Sequence, residues 1–145
     1  IKLAFSHDKK VIVEEFIEGR ELECAVFGTE KPFASRVGEI ISCNDFYDYD
    51  AKYILGTSGI NIPADIPAES ENEIRETALK AFRAIGCSGL SRIDFFLKKD
   101  GTVILNEINT LPGFTPISMY PKLMENMGIS QPELLDRLIE SAMDN

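Results

Sequence analysis

Two carboxylates stand where a core strand would rather have none: Asp94 and Glu107, in the stretch SRIDFFLKKDGTVILNEINTLPGF at positions 91–114. Asp-Gly between two β-rich runs is a strong hairpin signal, because glycine accepts the positive φ of a turn that matches strand twist. With Asp100 and Gly101 as a two-residue loop, Lys99 faces Thr102, and counting outward sets Asp94 directly opposite Glu107. The same register sets Arg92 opposite Asn109 and Phe96 opposite Leu105. The two-residue period of a strand puts these six on one face, with Ile93, Phe95, Leu97, Ile104, Asn106 and Ile108 on the other. Opposed carboxylates about 5 Å apart repel by roughly 3 kcal/mol at an effective dielectric near 20. A hard divalent cation would compensate, since Mg²⁺ takes oxygen ligands from a few carboxylates and shares its remaining positions with water and phosphates. So would Arg92, on a solvated face. Spacing alone leaves both readings open.

These residues need a scaffold. Upstream, KVIVEEFIEGRELECAVFG reads as two strands around Glu18-Gly19-Arg20, and KPFASRVGEII as a third. The stretch SCNDFYDYDAKYILGTSGINIPADIPAES is polar, aromatic and rich in Gly and Pro; loops this long inside a compact domain are usually functional. Ser70 with Glu73 forms a capping box, followed by Ile74, Ala78, Leu79, Phe82 and Ile85 at helical spacing up to Gly86. After the hairpin come a loop, NTLPGFTPIS, and a short helix around Met119 to Met127. A last helix opens with Ser130, Pro132 and Glu133 as cap, first-turn proline and box partner, and is expected to bury Leu135, Leu138, Ile139 and Ala142. The opening IKLAFSHDKK reads as the end of a helix followed by a turn.

A chain of 145 residues with 44% hydrophobic content can bury one real core. Its first residue, Ile1, suggests a piece of something longer. A net charge of −9 and a pI near 4.6 argue against a nucleic-acid surface. No apolar run approaches the length of a membrane span. Cys24, Cys43 and Cys87 are widely spaced and lack a Cys-x-x-Cys pair, which reads as reduced thiols in the cytoplasm. His7, beside Asp8 and two lysines, reads as a solvated residue.

Taken in order, VEEFIEGRE, FYDYDAKY, GLSRIDFFL and LNEINTLPGFTPISMYP closely resemble the C-terminal part of bacterial D-alanine:D-alanine ligases, members of the ATP-grasp superfamily. The resemblance covers essentially the whole chain. It implies an α+β, ATP-grasp fold, mainly antiparallel sheet flanked by helices, with residues 1–145 as the C-terminal part of the ATP-grasp domain. The implied reaction joins two D-alanine molecules at the expense of ATP through a D-alanyl phosphate, in peptidoglycan precursor synthesis. By the same resemblance, Asp94 would hold one Mg²⁺, Glu107 would bridge two and Asn109 would complete the second site, with Mn²⁺ able to substitute. Arg92 would bind the transferring phosphoryl group and the tetrahedral oxyanion, with the Gly113 N–H as a second oxyanion donor. Ser118 and the Met119 N–H would take the carboxylate of the second D-alanine. Glu14, Glu15, Phe16 and Ile17 would surround adenine, Glu21 would hold the ribose, and Phe46, Phe96 and Asn106 would line the pocket. Asn106 stands where some relatives carry an aliphatic residue.

FYDYDAKY matches the mobile loop that closes over the nucleotide in this family, with Lys52 directed at phosphates and Tyr53 closing the second substrate site. Closing such a loop excludes water from an acyl phosphate that hydrolyses readily. Relatives that make D-alanyl-D-lactate place a histidine in this loop; here there is none, which favours an amine acceptor, D-alanine first and D-serine second. The resemblance also implies a homodimer for the full-length protein. The family's glycine-rich phosphate loop and most of its first D-alanine site lie upstream of the matched region, so the chain alone is expected to be inactive. Two other readings remain: another ATP-grasp carboxylate-amine ligase, or a non-catalytic cation-binding domain, which would leave Lys52 and Arg92 without work.

Overall fold

The computed structural model describes residues 1–41 and 59–143. A short α1 (Lys2–Phe5) leads into an extended stretch, then β1 (Arg20–Gly28), β2 (Phe33–Ile41) and β3 (Gly59–Asn61). Helix α2 (Ala68–Ala84) follows, then β4 (Gly89–Leu97), β5 (Val103–Asn109), α3 (Met119–Asn126) and α4 (Gln131–Met143). The strands form one antiparallel sheet in the order β3-β2-β1-β4-β5. Among the described residues no helix is long and apolar enough to cross a membrane.

Strand alternation sends two sets of side chains to two different covers. Leu22, Cys24 and Val26 of β1, with Ile93, Phe95 and Leu97 of β4, pack against Ile74, Ala78 and Phe82 of α2. Removing the Phe82 ring from this core would cost about 4 kcal/mol. The buried Cys24 thiol is pushed up to about 12, chiefly by desolvation, so it stays neutral there. On the opposite face, Ala25 and Phe27 pack against Met119, Tyr120, Leu123 and Met124 of α3 and Leu134 of α4. The Tyr120 hydroxyl donates to the Val26 carbonyl at 3.1 Å, which locks α3 onto β1. This second cover spans only the C-terminal half of β1. The other half of that face, with Glu21 and Glu23, is left for the site.

Several expectations are corrected. Residues 11–17 have strand-like composition but form no strand: they run extended and pair with none of the five strands among the described residues. Helix α2 starts ahead of the expected capping box: Pro67 is its N-cap, and Ser70 is buried in its first turn. Proline at 67 disfavours helical backbone at Ile66, so the helix starts immediately after it. In α4 the Ser130 hydroxyl does accept the Glu133 N–H, at 3.4 Å. The face it buries, however, carries Leu134 and Leu138, while Leu135 and Ile139 are exposed. Both phases are apolar, and the one that turns inward seats Leu134 in the cluster formed by Ala25, Tyr120, Leu123 and Met124, with the exposed Ser141 hydroxyl 3.1 Å from that of Thr29. Within the long stretch expected to be loop, Gly59–Asn61 pairs with β2 as an edge strand.

Candidate functional site

The hairpin that carries the carboxylates departs from its expected form twice, and the departures cancel. Lys98 donates its N–H to the Thr102 carbonyl at 3.0 Å, and Gly101 donates to the Lys98 carbonyl at 3.0 Å, closing a turn over Lys99, Asp100 and Gly101. Gly101 adopts φ +86°, which glycine tolerates at no steric cost, and Asp100 Oδ1 accepts the Thr102 N–H at 3.0 Å. Leu97 therefore faces Val103, and continued without interruption this register would set Asn106 opposite Asp94. An irregularity between Asp94 and Phe95 absorbs one residue of β5, and Glu107 returns to a position opposite Asp94, with Asn109 opposite Arg92. Nearer the turn, Ile104 rather than Leu105 faces Phe96. The extra residue is Asn106, expected on the other face, which lines the same cavity as Glu107.

That cavity, about 220 Å³, is walled by Glu21 and Glu23 of β1, Arg92, Asp94 and Phe96 of β4, and Asn106 and Glu107 of β5. The Arg92 Nε and Nη2 donate to Asp94 Oδ1 and Oδ2 at 2.8 and 2.7 Å, a bidentate fork. Glu23 Oε2 lies 2.9 Å from the same Nε. All three side chains are nearly buried, at 11% exposure for Arg92, 6% for Glu23 and 15% for Asp94, so their attraction is weakly screened. Burial acts to lower the Arg92 pKa, but the hydrogen bonds to Asp94 and the charges of Glu23, Asp94 and Glu107 outweigh it and leave it raised. Desolvation, with the neighbouring Asp94 charge, pushes the Glu21 carboxyl up. On β5, the Asn109 amide donates to Glu107 Oε1 at 3.3 Å.

Three carboxyl groups, Glu23, Asp94 and Glu107, thus act on one guanidinium, with Glu21 beside Asp94, a surplus of negative charge on a half-buried surface. Among the described residues no three His, Cys, Asp or Glu side chains meet as a ready-made metal cage. Asp94, Glu107 and Asn109 offer instead two carboxylates and an amide oxygen, the hard donor set that suits Mg²⁺ when phosphates and water complete its shell. A carboxylate oxygen has about two acceptor positions, so the Arg92 fork leaves lone pairs on Asp94 for a cation. The residues present fit the ion.

A second cavity, about 600 Å³, shares Glu21, Phe96 and Asn106 with the first and continues along Glu14, Glu15, Phe16 and Ile17. Every residue expected around adenine and ribose lines it, apart from Phe46. Phe46, Lys52 and Tyr53 lie outside the described residues. Gly113 and Ser118 meet in the loop between β5 and α3, where a Cβ on Gly113 would stand 2.8 Å from Ser118 Oγ. The Met119 side chain is buried beneath α3, so it is the backbone of this residue that could serve a ligand. Glu23 joins this cluster although the motifs do not single it out. Its signal was present: RELECAVFG carries acids at 21 and 23, one strand period apart in an otherwise apolar run.

Residues 1–140 match the model of a family described as D-ala D-ala ligase C-terminus. The chain belongs to that family. A D-alanine–D-alanine ligase from Acetivibrio thermocellus is 60% identical over 97% of this chain, which spans 38% of that relative's length. Among solved structures of the family's members, the VanG D-Ala:D-Ser ligase from Enterococcus faecalis superposes with a TM-score of 0.82 at 47% identity, over 96% of this chain and 40% of its own. The Bacillus anthracis D-alanine–D-alanine ligase complexed with ATP superposes with a TM-score of 0.72 at 27% identity, over 90% of this chain and 40% of its own. The α+β, ATP-grasp architecture expected from the motifs of this ligase family agrees with the sheet and flanking helices described above.

Proposed function

We propose that this chain is the C-terminal part of a longer ATP-dependent ligase that joins two D-alanines into D-alanyl-D-alanine in the cytoplasm, for peptidoglycan precursor synthesis. The observation that carries the reading is the continuity of two cavities: one of nucleotide size, and one in which Arg92 is held among Glu23, Asp94 and Glu107 with Glu21 in the same wall. Family membership directs the chemistry. A carboxylate oxygen of the first D-alanine takes the γ-phosphoryl group of ATP and ADP leaves. The amine of the second D-alanine then attacks the acyl carbon, inorganic phosphate departs and the amine loses a proton.

Each step concentrates negative charge, and the chain's residues meet it in place. Arg92, fixed by Glu23 and Asp94, directs guanidinium protons at the transferring phosphoryl group and then at the tetrahedral oxyanion. Preorganisation matters here, because a donor already locked by its neighbours costs no reorganisation when charge develops. The N–H of Gly113 supplies a second donor, reachable because the residue has no side chain. Glu14 to Ile17, with Phe96, hold the adenine, and Glu21 holds the ribose. Ser118 and the Met119 N–H hold the acceptor carboxylate at the start of α3. Asp94, Glu107 and Asn109 would hold two Mg²⁺ ions, whose chemistry is to neutralise phosphate charge and polarise the γ-phosphoryl oxygens. Lys52 and Tyr53 close over phosphates and acceptor, the protein acts as a homodimer, and the chain alone, covering less than half of its relatives' length, does not turn over.

One observation favours a second reading, with D-serine as acceptor: the 47% identical Enterococcus faecalis neighbour is a D-Ala:D-Ser ligase. The deciding experiment is ATP-dependent ligation by the full-length protein with D-alanine, D-serine and D-lactate offered as acceptors. Preferred use of D-alanine supports the reading. Preference for D-serine or D-lactate keeps the mechanism and changes the acceptor, and no ADP release with any of them overturns it.

A further inference from the structure

Ser118 is the N-cap of α3, yet its side chain makes no cap hydrogen bond. An N-cap serine ordinarily accepts the N–H two or three residues on. Here the third residue is Pro121, which has no N–H to give. The hydroxyl turns back instead: Ser118 Oγ accepts the Thr115 N–H at 3.0 Å and lies 2.8 Å from the Thr115 hydroxyl. The Ser118 N–H donates to the Thr115 carbonyl at 2.9 Å, closing a turn over residues 115–118. The Ser118 side chain therefore does not cap the first amides of α3, where the helix dipole favours negative charge.

A serine hydroxyl has one proton and two lone pairs. With the Thr115 N–H on one lone pair and the Thr115 O–H on the other, Ser118 has only its proton left to offer. We propose that Thr115 is a positioning residue which occupies both lone pairs of Ser118 Oγ, turns Ser118 into a donor only, and so selects an acceptor that bears a carboxylate. This rests on the ligase reading, in which Ser118 holds the carboxylate of the second D-alanine. The opposite direction, Ser118 donating to Thr115, yields to a carboxylate because an ionised oxygen is the stronger acceptor.

The test compares Thr115→Val, which keeps the shape and removes the hydroxyl, with Thr115→Ser, which keeps the hydroxyl, in the full-length protein at saturating ATP. Thr115→Val is expected to raise the KM for the acceptor D-alanine about tenfold and leave kcat within about threefold. The KM for ATP stays unchanged, and Thr115→Ser stays within about twofold of wild type in every constant. Ser118→Ala raises the same acceptor KM, and adding Thr115→Val to it raises that constant no further, since the two residues act as one unit. Thr115→Val behaving like wild type overturns the proposal, as does Thr115→Ser being equally impaired. A double variant with additive effects, or a loss shared by all constants with a lowered Tm, overturns it too. If the wild-type protein forms no dipeptide, the ligase reading fails and the proposal falls with it; a working ligase indifferent to Thr115→Val fails the proposal alone.

Discussion

On the α2 side of the sheet, Arg20 of β1 grips Glu39 of β2 through both arms of its fork, at 2.6 and 2.7 Å. On the open side, Arg92 of β4 grips Asp94 in the same geometry, at 2.8 and 2.7 Å. The resemblance ends there. Arg20 is hydrogen-bonded to one carboxylate, with the Asp65 charge a smaller contribution, and the hydrogen bonds between Arg20 and Glu39 raise the one pKa and lower the other. Arg92 also faces Glu23 and Glu107, while Glu21 stands beside Asp94. A balanced pair ties two strands and is complete. A guanidinium outnumbered by carboxylates is incomplete by itself, and that imbalance separates a strut from a place built to receive a cation and phosphate.

Breaking the outnumbered cluster should do the most damage. Asp94→Ala and Glu107→Ala in the full-length protein are each expected to lower kcat about 10³-fold in a coupled ADP-release assay. Activity equal to wild type in either would remove that carboxylate from the chemistry. Glu23→Gln leaves Arg92 forked to Asp94 but deprives it of a nearly buried counter-charge. It should cost about 2 kcal/mol in urea denaturation and roughly tenfold in kcat. An unchanged kcat at that stability loss would make Glu23 a strut like Glu39. Glu21→Gln acts in the opposite direction on stability. The Glu21 pKa is raised above its ordinary 4.5, so its contribution favours folding below that value and is lost as pH rises through the raised one. The variant should therefore melt higher than wild type at pH 7, the gain vanishing below about pH 4.5, while the KM for ATP increases. The smallest effect belongs to the balanced pair. Glu39 is lowered from 4.5, so its contribution is present above that value and fades as pH falls through the lowered one. With Arg20 41% exposed, Glu39→Gln should cost less than about 1 kcal/mol, flatten the acid limb of the stability profile and leave catalysis unchanged.

Much of this was legible in the residues. The Asp94–Glu107 opposition follows from Asp-Gly and strand period alone, although the count succeeded through two irregularities that offset each other. A turn length one residue longer than assumed was invisible because Asp-Gly suits both forms. The bulge at Asn106 has no composition of its own; it shows itself only once β5 is laid against β4. Glu23 is hard to single out because its strand is dominated by apolar residues, and the phase of α4 is ambiguous in sequence because Leu134 and Leu135 are equally apolar. Residues 11–17 have the composition of a strand, but a strand also needs a partner, and composition does not say whether one is present.

Those same residues carry a liability for anyone handling the chain. In KVIVEEFI, Ile12, Val13 and Phe16 are 83%, 73% and 85% exposed on backbone with no sheet partner among the described residues. Short β-branched and aromatic windows of that kind zip together between molecules when nothing charged interrupts them. Glu14 and Glu15 interrupt this one. The acids read as nucleotide contacts are then also gatekeepers against fibril-like stacking, and neutralising both would threaten solubility before it touched any reaction.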